Sequence, residues 1–121
     1  MYKLLIVDDE EIIRFSFKKL FNWTKHNIDL VHECSNGKEA LDYLTNNEVD
    51  ILITDIKMPI MDGLEATREI RKENKDIAII ALTANAFDSD KQKSADAGCN
   101  DYMTKPIIAT ELLDLLNKYI G

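Results

Sequence analysis

Leu4-Leu5-Ile6-Val7-Asp8-Asp9-Glu10 joins an unbroken apolar run to three acidic residues in a row. A strand with one wet face alternates apolar and polar residues, whereas a strand covered on both faces reads as continuous apolar sequence. Leu4 to Val7 is of the second kind, and it ends in charge. The arrangement recurs downstream. Ile51-Leu52-Ile53-Thr54 runs into Asp55, and Ile77 to Leu82 runs into Thr83. The shorter Asp101-Tyr102-Met103 continues through Thr104 into Lys105-Pro106.

Helical patterns separate these runs. Ile13, Phe17, Leu20 and Phe21 predict a helix from Glu10 to about Asn22. Ile28 to Glu33 is a weaker, alternating run that suits an edge strand. After the break at Asn36-Gly37, Ala40, Leu41 and Leu44 mark a second helix ending near Asn46-Asn47. Pro59 and Gly63 bracket a loop before a third helix carrying Ala66 and Ile70. A fourth, from about Phe87 to Ala97, ends at Gly98, a residue suited to a left-handed C-terminal cap. Leu112, Leu113, Leu115, Leu116, Tyr119 and Ile120 line the last. Strict β-α alternation with short connections predicts an α/β fold, a parallel sheet with helices on both faces. Repeats and linkers are lacking, so residues 1–121 read as one domain.

Composition narrows the function. With 15 Lys plus Arg against 22 Asp plus Glu, the formal net charge is −7. Such a chain repels a phosphate backbone, and no basic run reverses this locally, so direct nucleic-acid binding is not expected. Its apolar stretches fall far short of the roughly 20 residues that span a bilayer, and the N-terminus has no signal-peptide core. No membrane association and a cytoplasmic location are the expectations. Cys34 and Cys99 lack the spacing of a zinc site and read as small buried hydrophobes. His26 and His32 read as surface histidines.

In an open parallel sheet the carboxyl ends of the strands lie along one edge, where such folds bind ligands. Asp8, Asp9, Asp55, Thr83 and Lys105 therefore converge. Taken singly, each has a bland reading: Asp8-Asp9 as a helix cap, Asp55 as a solvated loop acid, Thr83 as a β-former, Lys105 as a surface charge. Together, at the ends of separate buried strands, they form a chemical set. Clustered carboxylates repel unless a cation sits among them, and hard oxygen ligands suit Mg²⁺. A carboxylate can also attack phosphorus, with a lysine and a hydroxyl ready to receive phosphoryl oxygens.

Four blocks now carry a resemblance: Leu5-Ile6-Val7-Asp8-Asp9-Glu10, Thr54-Asp55-Ile56-Lys57-Met58-Pro59-Ile60-Met61-Asp62-Gly63, Ala81-Leu82-Thr83-Ala84, and Asp101-Tyr102-Met103-Thr104-Lys105-Pro106. With them the whole chain resembles the receiver domains of response regulators in two-component signalling. The resemblance implies a (βα)5 flavodoxin-like three-layer sandwich, its five-stranded parallel sheet in the order 2-1-3-4-5. It also implies that Asp55 is phosphorylated. Asp9 would bind Mg²⁺ directly and Asp8 mostly through water, with the backbone carbonyl of Lys57 as a further ligand. Thr83 would bond the phosphoryl group, Lys105 would pair with it, and Tyr102 would move as Thr83 is drawn inward. Lys57 and Ala84 occupy the positions that tune phosphoryl lifetime. The Lys105-Pro106 bond is expected to be cis and Met58-Pro59 trans.

By the same resemblance, the domain takes its phosphoryl group from a histidine kinase or phosphotransfer protein. It would catalyse only its own phosphorylation and dephosphorylation. An effector domain beyond residue 121 and a homodimer formed on phosphorylation are the further partners implied. Phe21-Asn22-Trp23 and Glu33 to Leu41 resemble receivers of AraC-type transcription regulators, whereas Met61 to Arg68, Ala81 to Ala86 and Ala97 to Pro106 resemble those of hybrid histidine kinases. Met1 reads as a native start, which disfavours a C-terminal kinase appendage. Two rival classes fail on particular residues. A haloacid-dehalogenase-type phosphatase needs an aspartate as general acid–base where Lys57 stands. A flavodoxin-like cofactor module needs a phosphate loop where Asp8-Asp9-Glu10 would repel it.

Overall fold

Side chains of successive strand residues point to opposite faces, and here both faces are covered. Leu4 and Ile6 enter one core with Phe17, Trp23, Ile51, Ile53, Ile80, Leu112 and Leu116. Leu5 and Val7 enter the other with Cys34, Ala40, Leu52, Ile70, Ile77 and Ile79. This is why the strands read as unbroken apolar runs. The computed structural model describes residues 1–84 and 88–120. Phe87, where the sequence pattern starts the fourth helix, lies outside the described residues, as do Asn85 and Ala86 of the quoted blocks and Gly121.

Five strands, β1 (Tyr2–Val7), β2 (Ile28–Cys34), β3 (Ile51–Asp55), β4 (Ala78–Thr83) and β5 (Asp101–Thr104), pair in parallel in the order β2-β1-β3-β4-β5. This is the expected order, and β2 is the expected edge. Helices α1 (Glu11–Lys18), α2 (Gly37–Asn46), α3 (Gly63–Glu73), α4 (Asp88–Ala97) and α5 (Ala109–Leu116) alternate with them. Lys105-Pro106 is cis, as the resemblance implied, and Met58-Pro59 is trans.

Two helices stop earlier than their apolar patterns. The first ends at Lys18, and a 3₁₀ turn, Trp23–His26, follows. The indole of Trp23 donates to the Phe17 carbonyl at 3.2 Å and stacks on the Phe17 ring, with centroids 5.6 Å apart. Aromatic packing thus recruits Leu20 and Phe21 to the core from outside the helix. The last helix ends at Leu116, and Tyr119 and Ile120 reach the same core from the turn beyond it. Gly98 has φ +113°, a conformation that L side chains rarely adopt, and it terminates α4 as expected.

Candidate functional site

Register aligns the chemistry. Val7 pairs with Thr54, Asp55 with Leu82, and Thr83 with Thr104. Asp8, Asp55, Thr83 and Lys105 therefore emerge along one edge of the sheet. Of these, Asp55, Thr83 and Lys105 border a cleft of about 230 Å³, which Asp9, Glu10, Lys57 and Ala84 also line. One carboxylate oxygen from each of Asp8, Asp9 and Asp55 lies within 4.8 Å of the others. Every site residue named from the sequence except Tyr102 is in this cluster or on the wall of the cleft. Tyr102 lies half-buried on β5, beside Lys91, Ser94 and Cys99 in a neighbouring groove.

The three acids are not equivalent. Asp8 is 1% exposed. One of its oxygens accepts the Glu10 amide at 2.9 Å, and the other accepts Lys105 Nζ at 3.1 Å. Lys105 Nζ also stands 3.4 Å from Asp55, so the lysine bridges two carboxylates. Asp9 is exposed toward the cleft. Burial raises the Asp55 carboxyl above the usual carboxylate range; Lys105 opposes the shift and the Asp8 charge adds to it. Burial alone would depress the Lys105 ammonium, but its hydrogen bond to Asp8 and the charges of Asp55 and Asp8 outweigh this and hold it above its ordinary value. Three carboxylates served by one lysine leave excess negative charge in a partly buried place, which a divalent cation would neutralise. Hard oxygens without thiolate or imidazole fit Mg²⁺.

Local sequence explains how the loop after Asp55 holds its shape. Asp62 caps α3 by accepting the Glu65 amide at 2.8 Å, and Asn36 caps α2 by accepting that of Glu39 at 2.9 Å. Both show the cap-x-x-Glu spacing that marks a helix start, a signal that reading Asn36-Gly37 only as a break overlooked. Gly63 follows the cap and lies against β3. A Cβ there would come within 2.1 Å of the Asp55 carbonyl oxygen, so only glycine fits. Ile60 at the loop apex is 81% exposed and has φ +69°, an outlier for a β-branched residue.

Two arginines escaped the sequence reading. Arg14 on α1 donates to the Asp8 carbonyl at 2.5 Å and to Glu33 at 2.9 Å. The Glu33 carboxyl is held below its usual range by hydrogen bonds from Lys18 and Arg14. Arg71 on α3 donates to the carbonyls of Gly98 and Ile77 and to the Asn100 side chain, pinning the α4–β5 connection. Neither partner set is near in sequence, so no local pattern announces it. Cys34 is buried and Cys99 half-buried, and both are free thiols. His32 is exposed and stacked on Tyr43, and His26 packs edge-on against Phe21. No helix among the described residues is long and apolar enough to cross a membrane.

Residues 4–117 match the family model described as Response regulator receiver domain. Response regulator MprA of Mycobacterium avium (strain 104) is 36% identical over 111 residues, covering 92% of this chain and 47% of that protein. The chain thus spans about half the length of the curated relatives it matches. The REC domain of AraT, a response regulator from Geobacillus stearothermophilus, superposes with a TM-score of 0.88 at 33% identity, covering 98% of this chain and 92% of that one. The receiver domain of the sensor histidine kinase PA1611 from Pseudomonas aeruginosa PAO1 gives a TM-score of 0.86 at 32% identity, covering 99% and 98%, and was solved with a magnesium ion coordinated in its active-site cleft. Fold order, acidic edge and family match agree: the chain belongs to the response regulator receiver domain family, the phosphoryl-accepting modules of two-component signalling.

Proposed function

We propose that residues 1–121 form one receiver domain whose phosphoryl acceptor is Asp55. One observation carries the assignment. Of the three clustered acids, Asp55 alone both lines the cleft and contacts Lys105. Asp8 has both oxygens engaged below it, by the Glu10 amide and by Lys105, and Asp9 opens toward solvent. That division supports Asp9 as the direct Mg²⁺ ligand and Asp8 as one acting through water, with Asp55 and the Lys57 carbonyl completing the protein's share. Mg²⁺, when bound, neutralises the carboxylates and the incoming phosphoryl oxygens.

In the transfer step a carboxylate oxygen of Asp55 attacks phosphorus. The bond from phosphorus to the donor's imidazole nitrogen breaks, and its electron pair stays with the imidazole. Lys105, already 3.4 Å from Asp55, pairs with the phosphoryl group. Thr83, buried at the end of β4 on the cleft wall, turns its hydroxyl to the same group. Tyr102 moves inward as Thr83 does, which changes the surface over α4 and β5. The chain catalyses no turnover beyond its own phosphorylation and dephosphorylation.

The donor is a histidine kinase or phosphotransfer protein, and it has to cover the mouth of the cleft. The surface beside that mouth is suited to a protein partner. Ile12, Phe15 and Ile108 are exposed, and a groove of about 230 Å³ lined by Ile13, Phe17, Leu20, Pro106 and Ile107 reaches Lys105 itself. Incubation with MgCl₂ and acetyl phosphate should add one phosphoryl group per chain, read by intact mass. Asp55→Asn should abolish the adduct. Equal labelling of both proteins would refute the acceptor assignment.

A further inference from the structure

Arg14 sets a cation, ion-paired to Glu33, directly beside the acidic cluster. Its guanidinium is largely buried under the β1–α1 turn, within 2.5 Å of the Asp8 carbonyl, beside the carboxylates proposed above to hold Mg²⁺. A fixed positive charge so close should repel a divalent cation. Its bonding explains the placement. Nη1 donates to the Asp8 carbonyl and Nε to Glu33 Oε1, while the Arg14 amide donates to the Glu10 carbonyl at 3.2 Å. One residue therefore grips both ends of Asp8-Asp9-Glu10. Glu33, at the end of the edge strand, fixes the guanidinium and offsets its charge, and Lys18 takes its other oxygen at 2.7 Å. The Asp8 amide meanwhile continues the ladder to the Cys34 carbonyl at 3.0 Å. The turn is thus held from α1 on one side and from β2 on the other.

We propose that Arg14 is a positioning residue that sets the geometry of the Asp8–Asp9 turn for metal binding, with Glu33 as its anchor. The proposal rests on the Mg²⁺ site assigned above. It makes a prediction opposite in sign to simple charge repulsion. If Arg14 acted only as a nearby charge, Arg14→Met would tighten Mg²⁺ binding and Arg14→Lys would leave it unchanged. If Arg14 positions the turn, both variants weaken it. A lysine keeps the charge but offers its donors from a single nitrogen, and so does not reproduce the fixed spacing of Nε and Nη1 across Glu33 and the Asp8 carbonyl.

The test is calorimetric titration of the unphosphorylated protein with MgCl₂ alone. Loss of a residue that orients metal ligands weakens affinity by about tenfold or more, and that loss is expected for Arg14→Met and Arg14→Lys. Lys18→Met removes the other cation on Glu33 without touching Asp8, and should bind as wild type. Thermal melts establish that each variant is folded, and if Arg14→Met is not, Arg14→Lys decides alone. Wild-type affinity in Arg14→Lys, or tighter binding in Arg14→Met, overturns the proposal. The underlying site is tested separately by Asp9→Asn, which should abolish Mg²⁺ binding. Wild-type binding in that variant would overturn the metal site itself, whatever the arginine variants do.

Discussion

Gly63→Ala makes the close approach of α3 to β3 measurable. In most helices this exchange is favourable, because alanine gains up to about 1 kcal/mol over glycine in helix propensity. Here the new methyl would meet the Asp55 carbonyl oxygen at 2.1 Å, the Thr54 hydroxyl at 3.0 Å and the Asp55 carbonyl carbon at 3.1 Å. Two of these are backbone atoms of β3, which pairs on both sides and cannot retreat alone. The helix must move instead, stretching the bond from the Gly63 amide to the Ile56 carbonyl, now 2.8 Å. Overpacking a tight site costs about 1–3 kcal/mol, and contact with backbone belongs at the upper end. Setting about 3 against about 1 leaves a net loss of about 2 kcal/mol. For a domain of this size that corresponds to a fall in Tm of about 8 °C. Urea denaturation followed by circular dichroism, at constant m-value, measures it directly. A Gly63→Ala protein as stable as wild type would refute the argument from close approach.

Other outcomes follow from the same geometry. Asp9→Asn removes one of three clustered charges from an exposed position, so without metal its Tm should equal or exceed that of wild type. Asp8→Asn loses a buried bond to Lys105 and should be less stable by about 1–3 kcal/mol, so equal Tm values for the two would refute the unequal roles of these acids. Ile60→Asn should gain about 1 kcal/mol in urea, because asparagine tolerates the positive φ that strains a β-branched side chain; a loss would refute the strain. Burial, with the charge of Glu39 adding to it, pushes the Cys34 thiol up to about 12. It therefore stays protonated through pH 8 and should resist alkylation in the native protein, whereas both cysteines should react on denaturation without reductant. Rapid native labelling of Cys34 would contradict its burial.

Much of this molecule is legible in its sequence because parallel strands covered on both faces read as short, continuous apolar runs between helical patterns. Leu4 to Val7, Ile51 to Ile53 and Ile77 to Leu82 announce themselves as buried strands, and the polar residue after each must then lie on the ligand-binding edge. Asp8, Asp9, Asp55, Thr83 and Lys105 could be named on that ground alone. The strand order came from resemblance, since alternation by itself allows several. Helix ends depart from periodicity where packing overrides it: Leu20 and Phe21 continue the apolar pattern of α1, yet the aromatic cluster around Trp23 draws them into the core beyond it. Only the tertiary structure shows which acid is buried against the lysine, because Lys105 reaches Asp8 across 97 positions of sequence. Arg14 meets Glu33 across 19 and Arg71 meets Gly98 across 27. Periodicity reports which face of an element is buried. It carries no record of which polar group on one element finds which acceptor on another, and that pairing arises only when the sheet is assembled.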